Sequence, residues 1–332
     1  MSYQPLLSIR NLVVEYKTRS GSVSAVRGVD LDVRRGEILG LVGESGCGKS
    51  TLGKALLRMP PGHIASGEMI FDGIDLARLS ERELMRDIRG ARIGMVFQDP
   101  MTSLNPVQSI VDHLIETIRT HQPHVSPSQA REKVEALVDR LGIRAARIDD
   151  YPHQFSGGMR QRIMIALALA LQADLVIADE PTTALDVIVE AQFLDLLREL
   201  RAEFDLTIIL ITHNIGVVAE IADRVAVMYA GKIVELAPVH ELFGETKHPY
   251  SQGLLRSVPS IELDSTDLYK MEGAPPSLFN IPPGCSFNPR CPHAMPICSE
   301  RTPGLLPAEG NPEHLAACWL YQESPVQAQE PV

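Results

Sequence analysis

Residues 43–50 read GESGCGKS, a fit to G-x-x-x-x-G-K-S, and they stand between the apolar run EILGLV and the helical-period segment TLGKALLRM. In that strand–loop–helix context the motif cradles phosphate. Glycines let successive backbone N–H groups turn inward, and the helix that follows adds its N-terminal dipole. Gly43, Ser45, Gly46, Gly48 and Thr51 belong to this cradle, Lys49 is placed to reach the β- and γ-phosphates, and the Ser50 hydroxyl is placed to ligate Mg²⁺. A glycine-rich turn that binds nothing is the bland alternative. Cys47 fills a free position and reads as a small filler. Further on, LVIADE (175–180) ends an apolar run in two acids. Asp179 suits Mg²⁺, and Glu180 suits orienting or deprotonating an attacking water, so an ATP site with Mg²⁺ is expected. Two acids at a strand end are by themselves an ordinary solvated terminus; the phosphate loop is what gives them meaning.

A second constellation lies near the C-terminus. Cys285, Cys291, Cys298 and Cys318, four of the chain's five cysteines, have the spacing C-x5-C-x6-C-x19-C. On the residues alone, disulfides, a zinc site, an iron–sulfur cluster and buried free thiols all stay open. The spacing matches neither the tight C-x2–4-C pairs usual for zinc nor the ferredoxin runs. The surrounding sequence is proline-rich and builds little core, so a metal would supply cross-link energy that packing does not. His293 and His314 lie nearby as further candidate ligands, though each is more often a polar loop residue.

The elements that must carry these residues follow from pattern. With 332 residues, the chain has room for two domains, or one domain and a long extension. Its 45% hydrophobic and 22% charged content suits a globular core, and the formal net charge of −11 argues against a nucleic-acid partner and against a polybasic membrane surface. MSYQPLLSIRNLVVEYK contains no apolar secretory segment, and the longest uncharged apolar run, Ile163 to Leu171, is too short for a membrane span. The expectation is a soluble protein of a reducing cytosol, where disulfides are disfavoured.

Residues 5–35 alternate apolar and polar around RSGS, which predicts an antiparallel hairpin. Residues 80–170 read as mostly helical, with Ser126 or Ser128 capping SPSQAREKVEALVDRLGI and Gly142 ending it. ADLVIADE and LTIILITH are apolar without alternation, as central parallel strands are. The predicted fold class is α/β with a helical insertion, and the change to proline-rich texture puts a boundary near residue 245.

Between the phosphate loop and LVIADE lies YPHQFSGGMRQR. Its SGGMRQ, Ser156 to Gln161, resembles the signature of ATP-binding-cassette (ABC) ATPases. The family's other marks follow in order: Tyr16 before the phosphate loop, Gln98 in VFQDP, Asp186 ending TTALD, and His213 in ITHN. Asn214 departs from the aspartate of many members, but His213 is retained. The resemblance covers roughly residues 5–245. It implies a P-loop NTPase core with an antiparallel β subdomain and a helical subdomain at about 97–165, all within a nucleotide-binding domain of residues 1–245.

It also implies head-to-tail pairing of two cassettes. Tyr16 would stack on adenine, and Ser156, Gly157, Gly158 and Gln161 would face the partner's nucleotide. Asp186 would be the D-loop residue of the nucleotide site, Gln98 would contact Mg²⁺ and water, and His213 would contact the γ-phosphate.

KHPYSQGLLRSVP, FQDPMTSLNP and GCSFNPRCPHAMPIC are similar to segments of the dipeptide/oligopeptide (peptide/nickel) importer ATPases. This narrower resemblance makes residues 246–332 a C-terminal extension. It implies an ATP-hydrolysing subunit that powers import of di- or oligopeptides or a related solute, paired with a second homologous ATPase subunit as a heterodimer. Two transmembrane permease subunits, contacted through about residues 97–150, and an extracytoplasmic solute-binding protein complete the assembly. The chain would lie on the cytoplasmic face of the inner membrane, held there by the permeases. The resemblance further implies a [4Fe–4S] cluster on the four cysteines, with Zn²⁺ as the alternative. A soluble ABC ATPase outside transport, for instance in iron–sulfur assembly, is the rival function.

Overall fold

The computed structural model describes residues 4–19, 21–98, 103–183, 185–257 and 271–322. Asp99 to Thr102 of FQDPMTSLNP, Ala184 of TTALD, and Val258 and Pro259 of KHPYSQGLLRSVP lie outside them. The N-terminal part holds β1 (Leu7–Thr18), β2 (Gly21–Val33), β3 (Ile38–Val42), α1 (Lys49–Leu56), β4 (His63–Phe71), β5 (Ile74–Asp75) and β6 (Ile93–Val96). The middle holds α2 (Ile110–His121), α3 (Pro127–Arg140), α4 (Gly157–Leu169), β7 (Leu175–Asp179), α5 (Val187–Phe204) and β8 (Thr207–Thr212). Then follow α6 (Ile215–Ile221), β9 (Arg224–Tyr229), β10 (Lys232–Pro238), α7 (Val239–Gly244), α8 (Pro249–Arg256), α9 (Pro296–Glu300), β11 (Leu306–Ala308) and β12 (Asn311–Ala316). The chain divides into two compact units, one built chiefly of residues 75–211 and one of residues 7–33, 39–74 and 212 onward.

In the second of these units, β1 and β2 form the expected antiparallel hairpin, and β4 pairs antiparallel on the other edge of β1. Leu7, Ile9, Leu12 and Val14 are buried; the even spacing breaks once, at a bulge where Asn11 takes φ 45. A second group of strands begins with β3, parallel to β9, and both strands are buried throughout. β10 then runs antiparallel to β9, β12 to β10, and β11 to β12. The cysteine-bearing tail thus contributes two strands to the layer that carries the phosphate loop.

In the other unit, β6, β7 and β8 run parallel, and every residue of the three is buried. That accounts for the uninterrupted apolar runs. α3 starts at Ser126, which forms a capping box with Gln129, and Gly142 just beyond its end has φ 69. The reading of 80–170 as mostly helical misses β6. Its four residues are too short to show a period, and Gly94 looks like a strand breaker. The glycine is there because α4 comes close: a Cβ on Gly94 would lie 2.6 Å from the Ala168 carbonyl. Among the described residues, no helix is long and apolar enough to cross a membrane.

Candidate functional site

The phosphate loop leaves β3 and enters α1 through two glycines that nothing else could replace. Gly43 (φ 151) and Gly48 (φ 110) have left-handed backbones, and a Cβ would meet the Met228 carbonyl at 2.1 Å and the Ala25 carbonyl at 2.3 Å. Gly48 is the N-cap of α1. Lys49 is buried, and its Nζ donates to the carbonyls of Gly43 (2.7 Å) and Glu44 (3.1 Å), so the loop is folded around its own cation. Ser45 and Gly46 are exposed, and Ser50 and Thr51 are half-buried. Burial pushes the Cys47 thiol up, which suits a packing residue rather than a nucleophile. The half-buried Tyr16 ring is anchored through its hydroxyl, 2.8 Å from Thr51 Oγ1. His213 is exposed at the end of β8. Asn214 N-caps α6 by accepting from Gly216 N–H at 3.0 Å, which is what an aspartate there would also do.

In the other unit, Asp179 ends β7 and is buried. Glu180 has φ 48, and its N–H donates to the Ile211 carbonyl (2.8 Å). Its Oε2 accepts from Thr183 Oγ1 at 2.9 Å and from Gln98 Nε2 at 3.4 Å, so two of the expected catalytic residues meet. Ser156 N-caps α4, whose first turn contains Gly157 and Gly158. Gln161 is buried and donates to the Pro181 carbonyl, tying α4 to the turn after Glu180. Asp186 N-caps α5 by accepting from Val189 N–H at 2.9 Å.

Cys285, Cys291, Cys298 and Cys318 all line one small cavity, of about 20 Å³, that His293 and Trp319 also face. Burial pushes the thiols of Cys285, Cys291 and Cys318 up, Cys318 to about 11, and neighbouring cysteines add to each rise. As they stand, no three or more His, Cys, Asp or Glu side chains among the described residues could hold a metal ion. His314 is not a member of the group: it is buried against Glu235 (2.7 Å) and Glu241 (3.5 Å).

The tail also reaches the phosphate loop, which the motif spacing does not reveal. The Arg290 guanidinium makes a two-point ion pair with the Glu44 carboxylate at 2.8 and 3.0 Å, and the Tyr250 hydroxyl accepts from Glu44 N–H at 2.8 Å. Tyr250 N–H in turn donates to His248 Nδ1 (3.0 Å), and burial holds that imidazole neutral by driving its pKa down to about 4 against the pull of Glu235. One signal was present in the sequence: a carboxylate inside a phosphate cradle needs a cation beside it.

Comparison with known proteins agrees with this geometry. The family model described as ABC transporter matches residues 26–183, and that of the oligopeptide/dipeptide transporter C-terminal region matches 234–298. The chain is 46% identical over 325 residues to the dipeptide transport ATP-binding protein DppD of Bacillus subtilis, covering 96% of each chain. It is 45% identical over 331 residues to the oligopeptide transport ATP-binding protein AmiE of Streptococcus pneumoniae, covering 98% of this chain and 92% of that one. Among solved structures, the ADP- and phosphate-bound dimeric ATP-binding cassette MJ0796 superposes with a TM-score of 0.63 at 27% identity, over 70% of this chain and 98% of the other. The fold class is therefore that of an ABC cassette, with its antiparallel β-sheet and helical segments. Loop, acids and signature helix together with near-full-length likeness leave one conclusion: the chain belongs to the ATP-binding subunits of ABC transporters, in the branch that carries the oligopeptide/dipeptide-transporter C-terminal region.

Proposed function

We propose that this chain is the ATP-hydrolysing subunit of an importer of di- or oligopeptides. The observation that carries the reading is end-to-end likeness to peptide-transport ATPases, through both the cassette and its C-terminal region. Lys49 takes the β- and γ-phosphates, and Gly43, Ser45, Gly46, Gly48 and Thr51 shape their cradle, with Tyr16 against the adenine. Ser50, Gln98 and Asp179 offer the oxygen donors that Mg²⁺ prefers. Glu180 draws the proton from the attacking water, Gln98 orients that water, and His213 contacts the γ-phosphate.

Ser156, Gly157 and Gly158 serve the nucleotide of a second, homologous ATPase subunit, while Gln161 and Asp186 brace that face. Val187 and Ile188, 82% and 72% exposed beside Asp186, support such a pairing, since neighbouring large apolar side chains left in water mark a contact surface. Two membrane-spanning permeases, contacted through about residues 97–150, and an extracytoplasmic solute-binding protein complete the assembly, which holds this chain at the inner face of the membrane. Residues 1–245 form the nucleotide-binding domain and 246–332 the extension.

A [4Fe–4S] cluster on Cys285, Cys291, Cys298 and Cys318 belongs to the same reading. What supports it is that the four cysteines line one small cavity with no carboxylate on its wall, and that cysteine sulfur is the usual donor to such a cluster. Its role in this reading is to cross-link a segment poor in core.

Affinity purification of the chain from its native host tests the transport reading. Two polytopic membrane proteins are expected to come down with it, and peptide-stimulated ATPase activity in the reconstituted complex completes the test. A chain that purifies with no membrane subunit, or with iron–sulfur assembly proteins, overturns it.

A further inference from the structure

Glu44 is the unusual residue of the phosphate loop. It brings a negative charge to a cradle built for anions, and it is gripped at all of its polar groups. Its carbonyl accepts from Lys49 Nζ, its N–H donates to the Tyr250 hydroxyl, and its carboxylate is held by two nitrogens of Arg290. The pair is well sheltered, with the Arg290 side chain 6% exposed and that of Glu44 27% exposed. Arg290 is itself braced: Nη1 donates to the Tyr229 hydroxyl (3.3 Å) and Nε to the Glu272 carbonyl (3.1 Å). The segment that bears it is pinned by Phe287, whose ring meets Tyr229 edge-on at 5.3 Å and Tyr250 at 5.5 Å. Cys285 and Cys291 bracket this segment.

We propose that Arg290 is a positioning residue for nucleotide binding, acting from the C-terminal extension on the phosphate loop through Glu44. A planar guanidinium holding a carboxylate at two points fixes its direction as well as its charge. With Arg290 in place, the carboxylate is neutralised and turned into the tail, and the Gly43 and Glu44 carbonyls stay where Lys49 needs them. Without it, an unpaired anion stands in the loop that must receive a triphosphate. The extension is then part of the ATP site's electrostatics, and any displacement of the 285–291 segment alters ATP affinity.

The proposal rests on the phosphate loop binding nucleotide, so MgATP binding to the full-length wild-type chain is measured first; no binding would overturn that reading and the proposal with it. Calorimetric Kd values are then compared for R290M, E44Q and the double variant. R290M is expected to bind MgATP about tenfold more weakly, a change of about 1.4 kcal/mol. E44Q is the reference in which no carboxylate needs a partner, and adding R290M to it is expected to change Kd by less than about twofold. In steady-state ATPase assays R290M should raise KM for ATP with little change in kcat, a split that a general loss of folded protein does not produce. If R290M does not fold, R290K, which keeps charge and stem but not the two-point grip, is put through the same cycle with an expected intermediate loss. A wild-type Kd in the Arg290 variant, or an equal penalty with Glu44 and with E44Q, overturns the proposal.

Discussion

Glu180 has a backbone with φ 48, outside the region that non-glycine residues favour, and such a conformation costs about 1–3 kcal/mol. The cost is offset where neighbours over-determine the position. The Ile211 carbonyl takes its N–H, and Thr183 and Gln98 hold its carboxylate. Glu180→Gln keeps the size and hydrogen-bonding reach of the side chain but removes the carboxylate proposed as the base. Steady-state phosphate release should fall by about 10²- to 10⁴-fold while MgATP stays bound, read as nucleotide retained after gel filtration. Near-normal turnover would remove Glu180 from the role of base. Its identity was legible because an acid at the end of an apolar strand is a local pattern. The partners that hold it were not, because the Ile211 carbonyl and the Gln98 amide lie far away in sequence.

The pairing of β12 with β10 gives the tail a structural duty that composition conceals. The proline-rich texture after residue 245 reads as an appended segment, yet Glu235 and Leu236 of β10 pair with Ala316 and Leu315. Glu235 is fully buried and takes hydrogen bonds from Lys247 N–H and His248 N–H, with His314 against the same carboxylate. A chain ended after Glu245 leaves the edge of β10 unpaired and removes all three of these partners of Glu235. Its melting temperature should drop by several degrees and it should aggregate on gel filtration. A truncated chain that melts with the full-length protein would show that β12 contributes nothing to the core.

Seen across the whole chain, the extension joins three things: an edge of the sheet, a group of four thiols, and the loop that binds phosphate. The cysteines are expected to act as a cross-link for a segment that packs few large side chains, since a bound metal centre contributes its binding energy to folding. Protein purified without oxygen should be brown, absorb broadly near ~400 nm and contain about four irons per chain. Replacing Cys298 with serine should bleach the colour and lower the melting temperature. A colourless wild-type protein carrying one zinc would decide for the Zn²⁺ alternative.

Gly43 to Ser50, the LVIADE strand and the SGGMRQ helix start were all determined by sequence alone. Each is a contiguous stretch whose chemistry depends on neighbours a few residues away, such as the Ser156 cap on Met159 N–H or the grip of Lys49 on Gly43. The same is true of the cysteines as a candidate group, since four thiols among prolines are conspicuous wherever they fold. Tertiary structure alone decided that Arg290 grips Glu44, 246 residues away, that His314 turns to Glu235 instead of the cysteines, and that Gln161 braces Pro181. Those contacts are set by which strands pair and which helices pack. A charged or polar side chain carries no record of its partner until the backbone brings one within hydrogen-bond reach.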